Sequence, residues 1–113
     1  MERGELVLAP FPYSNQRALK RRPACVVSAS AYNEGPDVIV AMVTSSAARL
    51  SRPGFGDVLV EDWRAAGLLR PSVVRAGRIL VIERPLLSGP LGSLTASDLR
   101  AVEEGLRAVL DLS

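Results

Sequence analysis

Three short stretches of the sequence combine cations with hydroxyl groups in a way that suits chemistry on a phosphate. In the first, Arg22 stands directly before Pro23, whose ring fixes its own φ and restricts the backbone of the residue before it. A guanidinium on such a stiff backbone can be aimed at one point, where it stabilises the negative charge that a phosphate gathers during nucleophilic attack. An arginine that only pairs with a surface carboxylate is the simpler interpretation, and this stretch alone favours it.

The other two stretches add hydroxyls and further cations. Thr44 and Ser45 follow the most apolar run of the chain, so we expect them where a buried strand leaves the core. There they can donate to a phosphate oxygen, or they can bond only to the local backbone. Arg75 and Arg78 flank Gly77, which permits an unusual backbone, and solvated cations on a hairpin are again the simpler interpretation.

The residue types that are missing or rare limit the chemistry further. The 113 residues include no His, which removes the commonest metal ligand and the usual general base near neutral pH. The single cysteine, Cys25, lies in an apolar run and is expected to be a small buried hydrophobic residue, without a disulfide or a metal. We therefore expect a site that uses no metal and no cofactor.

Charge is distributed unevenly along the chain. Residues 1–78 carry eleven Lys or Arg against seven Asp or Glu, whereas residues 79–113 carry three against five, for a formal net charge of +2. Thirteen of the fourteen cations are arginines, whose planar fork holds phosphate or carboxylate through two hydrogen bonds. A GC-rich genome would explain the choice of Arg over Lys but not the asymmetry. The first two-thirds of the chain is therefore expected to meet a polyanion or an acidic partner.

Short apolar runs separated by turn residues are expected to form the strands that position these side chains. The crossover helices that a parallel sheet needs are missing between them. The pattern predicts a single domain over residues 1–113, mainly β with α: a small antiparallel β-barrel with a C-terminal helix. The predicted strands cover residues 6–9, 24–28, 38–44, 58–60, 72–75, 79–82 and 91–94, the predicted helical turns cover residues 30–33 and 63–66, and the predicted loops cover residues 13–22 and 45–56.

The clearest helix begins after Thr95. Thr95 and Asp98 form a start like a capping box, with a hydroxyl to cap the helix and a carboxylate three residues later. Gly105 inside the helix costs about 1 kcal/mol relative to Ala, which indicates a close packing contact at that position. The apolar residues that share one face of this helix are Leu99, Val102, Leu106, Val109 and Leu110.

No targeting or membrane signal is visible in the sequence. The first five residues do not resemble a signal peptide, and the longest purely apolar run, residues 38–43, is far too short to cross a bilayer. Together with the single cysteine, this predicts a cytoplasmic protein with no membrane partner.

The order of motifs along the chain resembles that of the MazF/PemK-like toxins of type II toxin–antitoxin systems. The resemblance covers nearly the whole chain, including the terminal helix. Arg-Pro at a strand opening, followed by Tyr-Asn and a hydrophobic strand that ends in Thr-Ser, is its most specific part. The segments that carry it are GELVLAPFP (4–12), RRPACVVS (21–28), AYN (31–33), VIV (38–40), VTS (43–45) and SVVR (72–75).

The resemblance implies a fold, an activity and partners. The fold is the small SH3-like barrel of the plasmid-maintenance toxins, assembled as a homodimer. The activity is that of a sequence-selective endoribonuclease that cuts single-stranded RNA, often mRNA, without a metal. In the family the RNA's own 2′-hydroxyl attacks the adjacent phosphorus, which leaves a 2′,3′-cyclic phosphate and a 5′-hydroxyl. The implied protein partner is a cognate antitoxin, expected to be acidic and partly disordered.

Carried over residue by residue, the resemblance also implies roles for individual side chains. Arg22 matches the family's catalytic Arg and is expected to stabilise transition-state charge and to take part in proton transfer. Thr44 matches the catalytic Thr and is expected to hold the scissile phosphate, and Arg75 matches a cation that some members use at the same site. The residues expected to bind RNA are Arg17, Lys20, Arg21, Ser45, Arg75 and Arg78.

Two features depart from the family pattern. Many members carry an acidic residue, a candidate general base, in the turn after the Val-Val-Arg stretch, where this chain has Ala76 and Gly77. Some members place a His in the first long loop, and residues 13–22 contain none. Glu61 and Asp62 are the alternative sources of a carboxylate.

These two departures from the family pattern leave two other functions open. One is a toxin of the same fold that poisons DNA gyrase by binding, as CcdB-like proteins do; the absence of a Trp at the end of the terminal helix argues against it. The other is a degenerate relative that only binds an antitoxin.

Overall fold

Proline and glycine residues separate the short strands of the chain, and these strands assemble into one antiparallel sheet. The computed structural model describes residues 1–11 and 20–113, and the strands within them are β1 (Glu5–Phe11), β2 (Lys20–Val26), β3 (Asp37–Thr44), β4 (Asp57–Leu59), β5 (Val73–Glu83) and β6 (Ser88–Ser93). The helices are α1 (Ser30–Asn33), α2 (Ala47–Ser51) and α3 (Ala96–Leu110), with a short 3-10 turn at Arg84–Leu86. The order in the sheet is β4-β5-β3-β2-β1-β6. The predicted class, mainly β with a C-terminal helix, is confirmed.

The alternation of side chains along the strands places a hydrophobic core on each face of the sheet. The helix-side core, where α3 packs, includes Leu6, Cys25, Ala41, Val43, Leu68, Val74 and Val102. The buried members of the second core, on the other face, are Val7, Ala9, Phe11, Ala24, Val26, Val38, Val40 and Ile82. Burial on both faces explains why the central strand β3 is apolar almost throughout.

The sheet does not close into the expected barrel. Strands β4 and β6 are its two edges, and no pairing joins them within the described part of the chain. Residues 61–70, called the turn segment below, follow β4 and reach β6 instead. Gly67 of this segment lies against the backbone of Leu91 and Gly92, and Ala66 is fully buried. The turn segment therefore occupies the space in which the two edges would otherwise meet.

Strand β5 is one long strand where the sequence predicted two. Its pairing with β3 jumps from Ala41 opposite Ile79 to Met42 opposite Arg75, so residues 76–78 form a bulge. A bulge of this kind bends the sheet.

Three other local predictions differ from the structure. Residues 47–51, in the predicted loop 45–56, form α2, because Ala, Arg and Leu are good helix formers. Residues 63–66 lie in a series of turns rather than in a helix. Of the predicted loop 13–22, residues 20–22 belong to β2, and residues 13–19 lie outside the described part of the chain.

Asp98 links α3 to the turn segment. The Thr95 hydroxyl accepts a hydrogen bond from the Asp98 backbone N–H at 3.3 Å, so the predicted cap is confirmed. The Asp98 carboxylate is buried, and its two oxygens accept from the backbone N–H groups of Glu61 at 3.1 Å and Asp62 at 2.9 Å. A buried carboxylate is tolerated only when its oxygens are bonded, so this side chain fastens the start of the turn segment to the helix.

Helix α3 lies very close to β4 and the bulge. A Cβ at Gly105 would lie 3.0 Å from the Val58 side chain and 3.3 Å from Ala76, which confirms the predicted close contact. Val102 is buried against the sheet, with Leu99 and Leu106 packed beside it. No helix in the described residues has the length and apolar character needed to span a membrane.

We expect Gly92→Ala to destabilise the fold, because the new Cβ would lie 2.0 Å from the carbonyl oxygen of Ala66 and backbone would have to move. The free energy of unfolding, measured by urea denaturation, should fall by about 3 kcal/mol, the upper end of the usual overpacking range. Gly77→Ala is the matched control: the φ of Gly77 is not positive, contrary to the unusual backbone that the sequence suggested, and its Cβ would lie 3.9 Å from the Phe55 oxygen. A Gly92→Ala protein as stable as the wild type would show that the turn segment does not press on β6.

Candidate functional site

A groove of about 710 Å³ opens where β2 begins and β3 ends. These strand ends bound one part of it, and the turn segment together with β6 bounds another. The lining residues are Leu8, Arg22, Pro23, Met42, Val43, Thr44, Ser45, Ser46, Gly67, Leu68, Leu69, Arg70, Ser72 and Leu91.

The register of the central strands brings Arg22 and Thr44 to the groove together. Strands β2 and β3 are antiparallel, with Ala24 opposite Met42, and continuing that register by two residues places Arg22 opposite Thr44. Residues that this register places opposite each other have side chains on the same face of the sheet. On its other side Arg22 pairs with Ala9 of β1, so strand pairing and Pro23 both restrict its backbone.

Thr44 ends β3 in a tight local turn. Its Oγ1 accepts a hydrogen bond from the backbone N–H of Ser46 at 3.1 Å. The local backbone bond that the sequence offered as the simpler interpretation is therefore present. Because Oγ1 is the acceptor in that bond, its own hydrogen can still be donated to a phosphate oxygen. Ser45, beside it, is exposed and lines the same groove.

The described lining of the groove has the chemical character that suits an anion. Its described lining includes the two guanidinium groups of Arg22 and Arg70, four hydroxyls and no Asp or Glu side chain. Guanidinium groups and hydroxyls are donors to phosphate oxygens, and no carboxylate in this set competes for them. The remaining lining is mostly aliphatic, with no aromatic side chain among the described residues.

Two of the arginines predicted to bind RNA do not reach the groove lining. Arg75 forms an ion pair in which its Nε donates to Asp57 Oδ1 at 3.2 Å, and the two side chains are 17% and 2% exposed. The other Asp57 oxygen accepts from the Gly54 N–H at 2.7 Å. Arg78 is exposed on the bulge, away from the groove lining. The sequence could not show that Asp57, eighteen residues earlier, would hold Arg75.

The basic residues at the start of β2 differ in position. Arg21 donates to the Leu86 carbonyl at 2.9 Å and to the Ser88 hydroxyl, so it ties β2 to the chain entering β6. Lys20 is exposed and is not part of the groove lining. Arg17 lies outside the described residues.

The alternative acid–base groups also lie away from the groove. Glu61 and Asp62 are exposed and bonded through their backbone to Asp98, and neither lines the groove.

Burial raises the pKa of the Cys25 thiol to about 12, so this group is protonated and unreactive at neutral pH. Among the described residues no three or more His, Cys, Asp or Glu side chains are grouped so that they could hold a metal ion.

Arg70 is the groove residue that the sequence did not single out. It precedes Pro71, as Arg22 precedes Pro23, and that dipeptide is the signal that was available. Arg-Pro occurs four times in the chain, also at residues 52–53 and 84–85, so the dipeptide by itself does not distinguish the two that meet at the groove.

Comparison with known proteins identifies relatives along the whole chain. The family model described as a PemK-like, MazF-like toxin of a type II toxin–antitoxin system matches residues 2–110. A protein named Endoribonuclease MazF6 from Mycobacterium tuberculosis is 34% identical over 115 residues, which cover 99% of this chain and 98% of that protein. Endoribonuclease MazF2 from Mycobacterium bovis has the same identity over the same length.

Solved structures share the fold. An endoribonuclease in complex with its cognate antitoxin, from a mycobacterial species, superposes with a TM-score of 0.81 at 21% identity, covering 100% of this chain and 97% of that chain. A MazE-MazF structure from Deinococcus radiodurans gives a TM-score of 0.76 at 27% identity, covering 100% and 98%. The shared fold therefore includes the sheet, the turn segment and α3.

We expect Arg75→Ala to act on stability, because it leaves the nearly buried Asp57 carboxylate without its cation. The free energy of unfolding in urea should fall by about 1–3 kcal/mol, the range for a buried group that loses its partner. Arg107→Ala is the control, since its pair with Glu104 is exposed and an exposed pair contributes about 0.5 kcal/mol or less. Unchanged stability with a loss of RNA affinity would instead restore Arg75 as a binding residue.

Proposed function

This chain belongs to the family of PemK-like, MazF-like toxins of type II toxin–antitoxin systems, and we propose that it is an endoribonuclease whose active site is the groove that holds Arg22 and Thr44. The observation that supports this most directly is the register of β2 and β3, which brings these two side chains to one face of a groove with no described carboxylate. The substrate class is single-stranded RNA, because the reaction needs a 2′-hydroxyl and a backbone free to bring it in line with the phosphorus.

The proposed reaction is an internal transfer at the scissile phosphate. The 2′-oxygen of the preceding nucleotide forms a bond to phosphorus, and the bond from phosphorus to the 5′-oxygen of the next nucleotide breaks. The products are a 2′,3′-cyclic phosphate and a 5′-hydroxyl; the 2′-hydroxyl loses one proton, the leaving oxygen gains one, and no water is consumed.

Arg22 stabilises the charge that develops on the phosphate oxygens and supplies N–H donors close to the leaving oxygen, and Thr44 donates to a non-bridging oxygen. Ser45 adds a second hydroxyl at the same edge. Because the described lining has no carboxylate, the 2′-hydroxyl proton passes to solvent rather than to a side chain such as Glu61 or Asp62.

The proposed partners follow from the family and from the charge of the groove. The cognate antitoxin is expected to present acidic groups to the same cations that attract RNA. We also propose that residues 1–113 form one toxin domain, that the protein works as a homodimer and that it acts in the cytoplasm, where mRNA is found. A gyrase-poisoning function has no structural observation in its favour.

We expect Arg22→Ala to reduce the single-turnover rate of RNA cleavage by about 100-fold or more, the effect of removing one donor to a developing charge. Thr44→Val should cost about 10-fold or more for the same reason. The measurement uses an unstructured transcript in the presence of EDTA, with the product ends identified by mass spectrometry.

Arg100→Ala, which removes an exposed arginine of α3 outside the groove, is the matched control for charge and should cut at the wild-type rate. Circular dichroism must show the same fold for each variant. Wild-type protein that cleaves no single-stranded RNA would overturn the function. Full activity in Arg22→Ala would overturn only the assignment of the site.

A further inference from the structure

Leu69 and Arg70 line the groove, and the proposed chemistry assigns them no role. Leu69 is 91% exposed, the highest value for a large apolar side chain in the described residues. Arg70 is also exposed, and no ion pair within the described residues involves it. An uncompensated cation beside a bare aliphatic side chain thus borders the groove that contains Arg22 and Thr44.

These two residues sit on a fixed backbone between buried anchors. Leu68 is packed into the helix-side core, and its N–H donates to the Trp63 carbonyl at 3.0 Å. Ser72 is 3% exposed, and its hydroxyl donates to the Arg70 carbonyl at 2.9 Å. Pro71 restricts Arg70 further. The exposure of Leu69 and Arg70 is therefore a feature of an ordered bend, and little backbone freedom is lost when they bind a ligand.

Leu69 and Arg70 together offer a partner for each of the two chemical parts of a nucleotide, its base and its phosphate. A nucleotide in a single strand presents a phosphate and the face of an unstacked base, which bind a guanidinium and an apolar surface respectively. The apolar side chains of the described lining are aliphatic, so they are the surface that it offers to a base. Arg22 and Thr44 are already assigned to the scissile phosphate, which leaves Arg70 for a different one.

We propose that Leu69 and Arg70 form a subsite for a nucleotide adjoining the scissile phosphate, in which Arg70 holds that nucleotide's own phosphate and Leu69 packs against its base. The subsite rests on the proposed endoribonuclease function. It would contribute to substrate affinity and to the choice of cleavage sequence, whereas Arg22 and Thr44 contribute to the chemical step.

The test uses a short single-stranded RNA that contains a cut site mapped on a transcript. Single-turnover rates at increasing enzyme concentration separate the half-saturating concentration from the maximal rate. We expect Arg70→Ala to raise the half-saturating concentration about tenfold and to leave the maximal rate unchanged. The slope of log affinity against log salt should become less steep by about 0.7, which is the value for one phosphate contact with a single strand. Arg70→Lys should recover part of the affinity and the full salt slope.

Two further variants separate the parts of the subsite. Leu69→Ser should raise the half-saturating concentration several-fold without a change in the salt slope, since it removes an apolar contact and no charge. Arg100→Ala is the control for loss of a surface charge and should match the wild type.

A chemical change in the RNA identifies the phosphate. Replacing the phosphate on each side of the scissile one, in turn, with a neutral methylphosphonate should weaken wild-type binding at both positions, and at one of them should have no further effect on Arg70→Ala. Such non-additivity is the signature of a direct contact. Additive effects at both positions would overturn the subsite.

Three other results would overturn either the subsite or the proposed function. Wild-type protein that cleaves RNA with the same half-saturating concentration as Arg70→Ala overturns the subsite and leaves the proposed function intact. Wild-type protein that cleaves no RNA overturns the proposed function itself. If Arg70→Ala weakens only the binding of an acidic antitoxin peptide, Arg70 belongs to a protein interface and the RNA subsite is overturned.

Discussion

The register of β2 against β3 is the constraint on which the site depends. Alternate residues of both strands are buried in different cores, so a slip of one residue would move every apolar side chain to the wrong face. A slip of two residues would keep each side chain on its face of the sheet. It would, however, shift Arg22 by about 7 Å relative to Thr44, because a strand rises about 3.3 Å per residue. Ala24 and Val26, which are fully buried on β2, lie opposite Met42 and Val40 of β3. Core packing therefore sets the distance between the cation and the hydroxyl.

The turn segment is the second constraint, and it connects the stability of the helix to the shape of the groove. Its start is fastened by the buried carboxylate of Asp98, its middle presses on β6 through Gly67 and Gly92, and its end is anchored by Leu68. Gly67, Leu68, Leu69 and Arg70 of this segment line the groove together with Leu91 of β6, so the contacts that fix the segment also fix this part of the lining.

The sequence predicted what local pattern controls and missed what distant partners control. Period and capping located the central strand and α3, and the proline after Arg22 indicated a stiff backbone there. Arg75 was placed among the RNA-binding residues through its match to the family, and nothing in its own stretch showed the cross-strand Asp57. Arg21 was grouped with its neighbours for the same reason, since the Leu86 carbonyl that it binds lies 65 residues away. Its neighbour Arg22 lines the groove, whereas the side chain of Arg21 is bonded to Leu86 and Ser88 at the entry to β6.

The charge of the described groove lining favours both the binding of RNA and the chemistry proposed for it, although this part of the lining holds no carboxylate base. A positioned general base typically contributes a factor of about 10²–10⁴ to a rate, so a site without one gives up a real advantage. A carboxylate in contact with a guanidinium group pairs with it, however, as Asp57 pairs with Arg75. Such a pair would hold the guanidinium in place of the phosphate and would weaken the field that attracts a polyanion. The described lining of cations, hydroxyls and aliphatic groups therefore suits a polyanion, and in the proposed reaction the proton of the 2′-hydroxyl goes to the solvent.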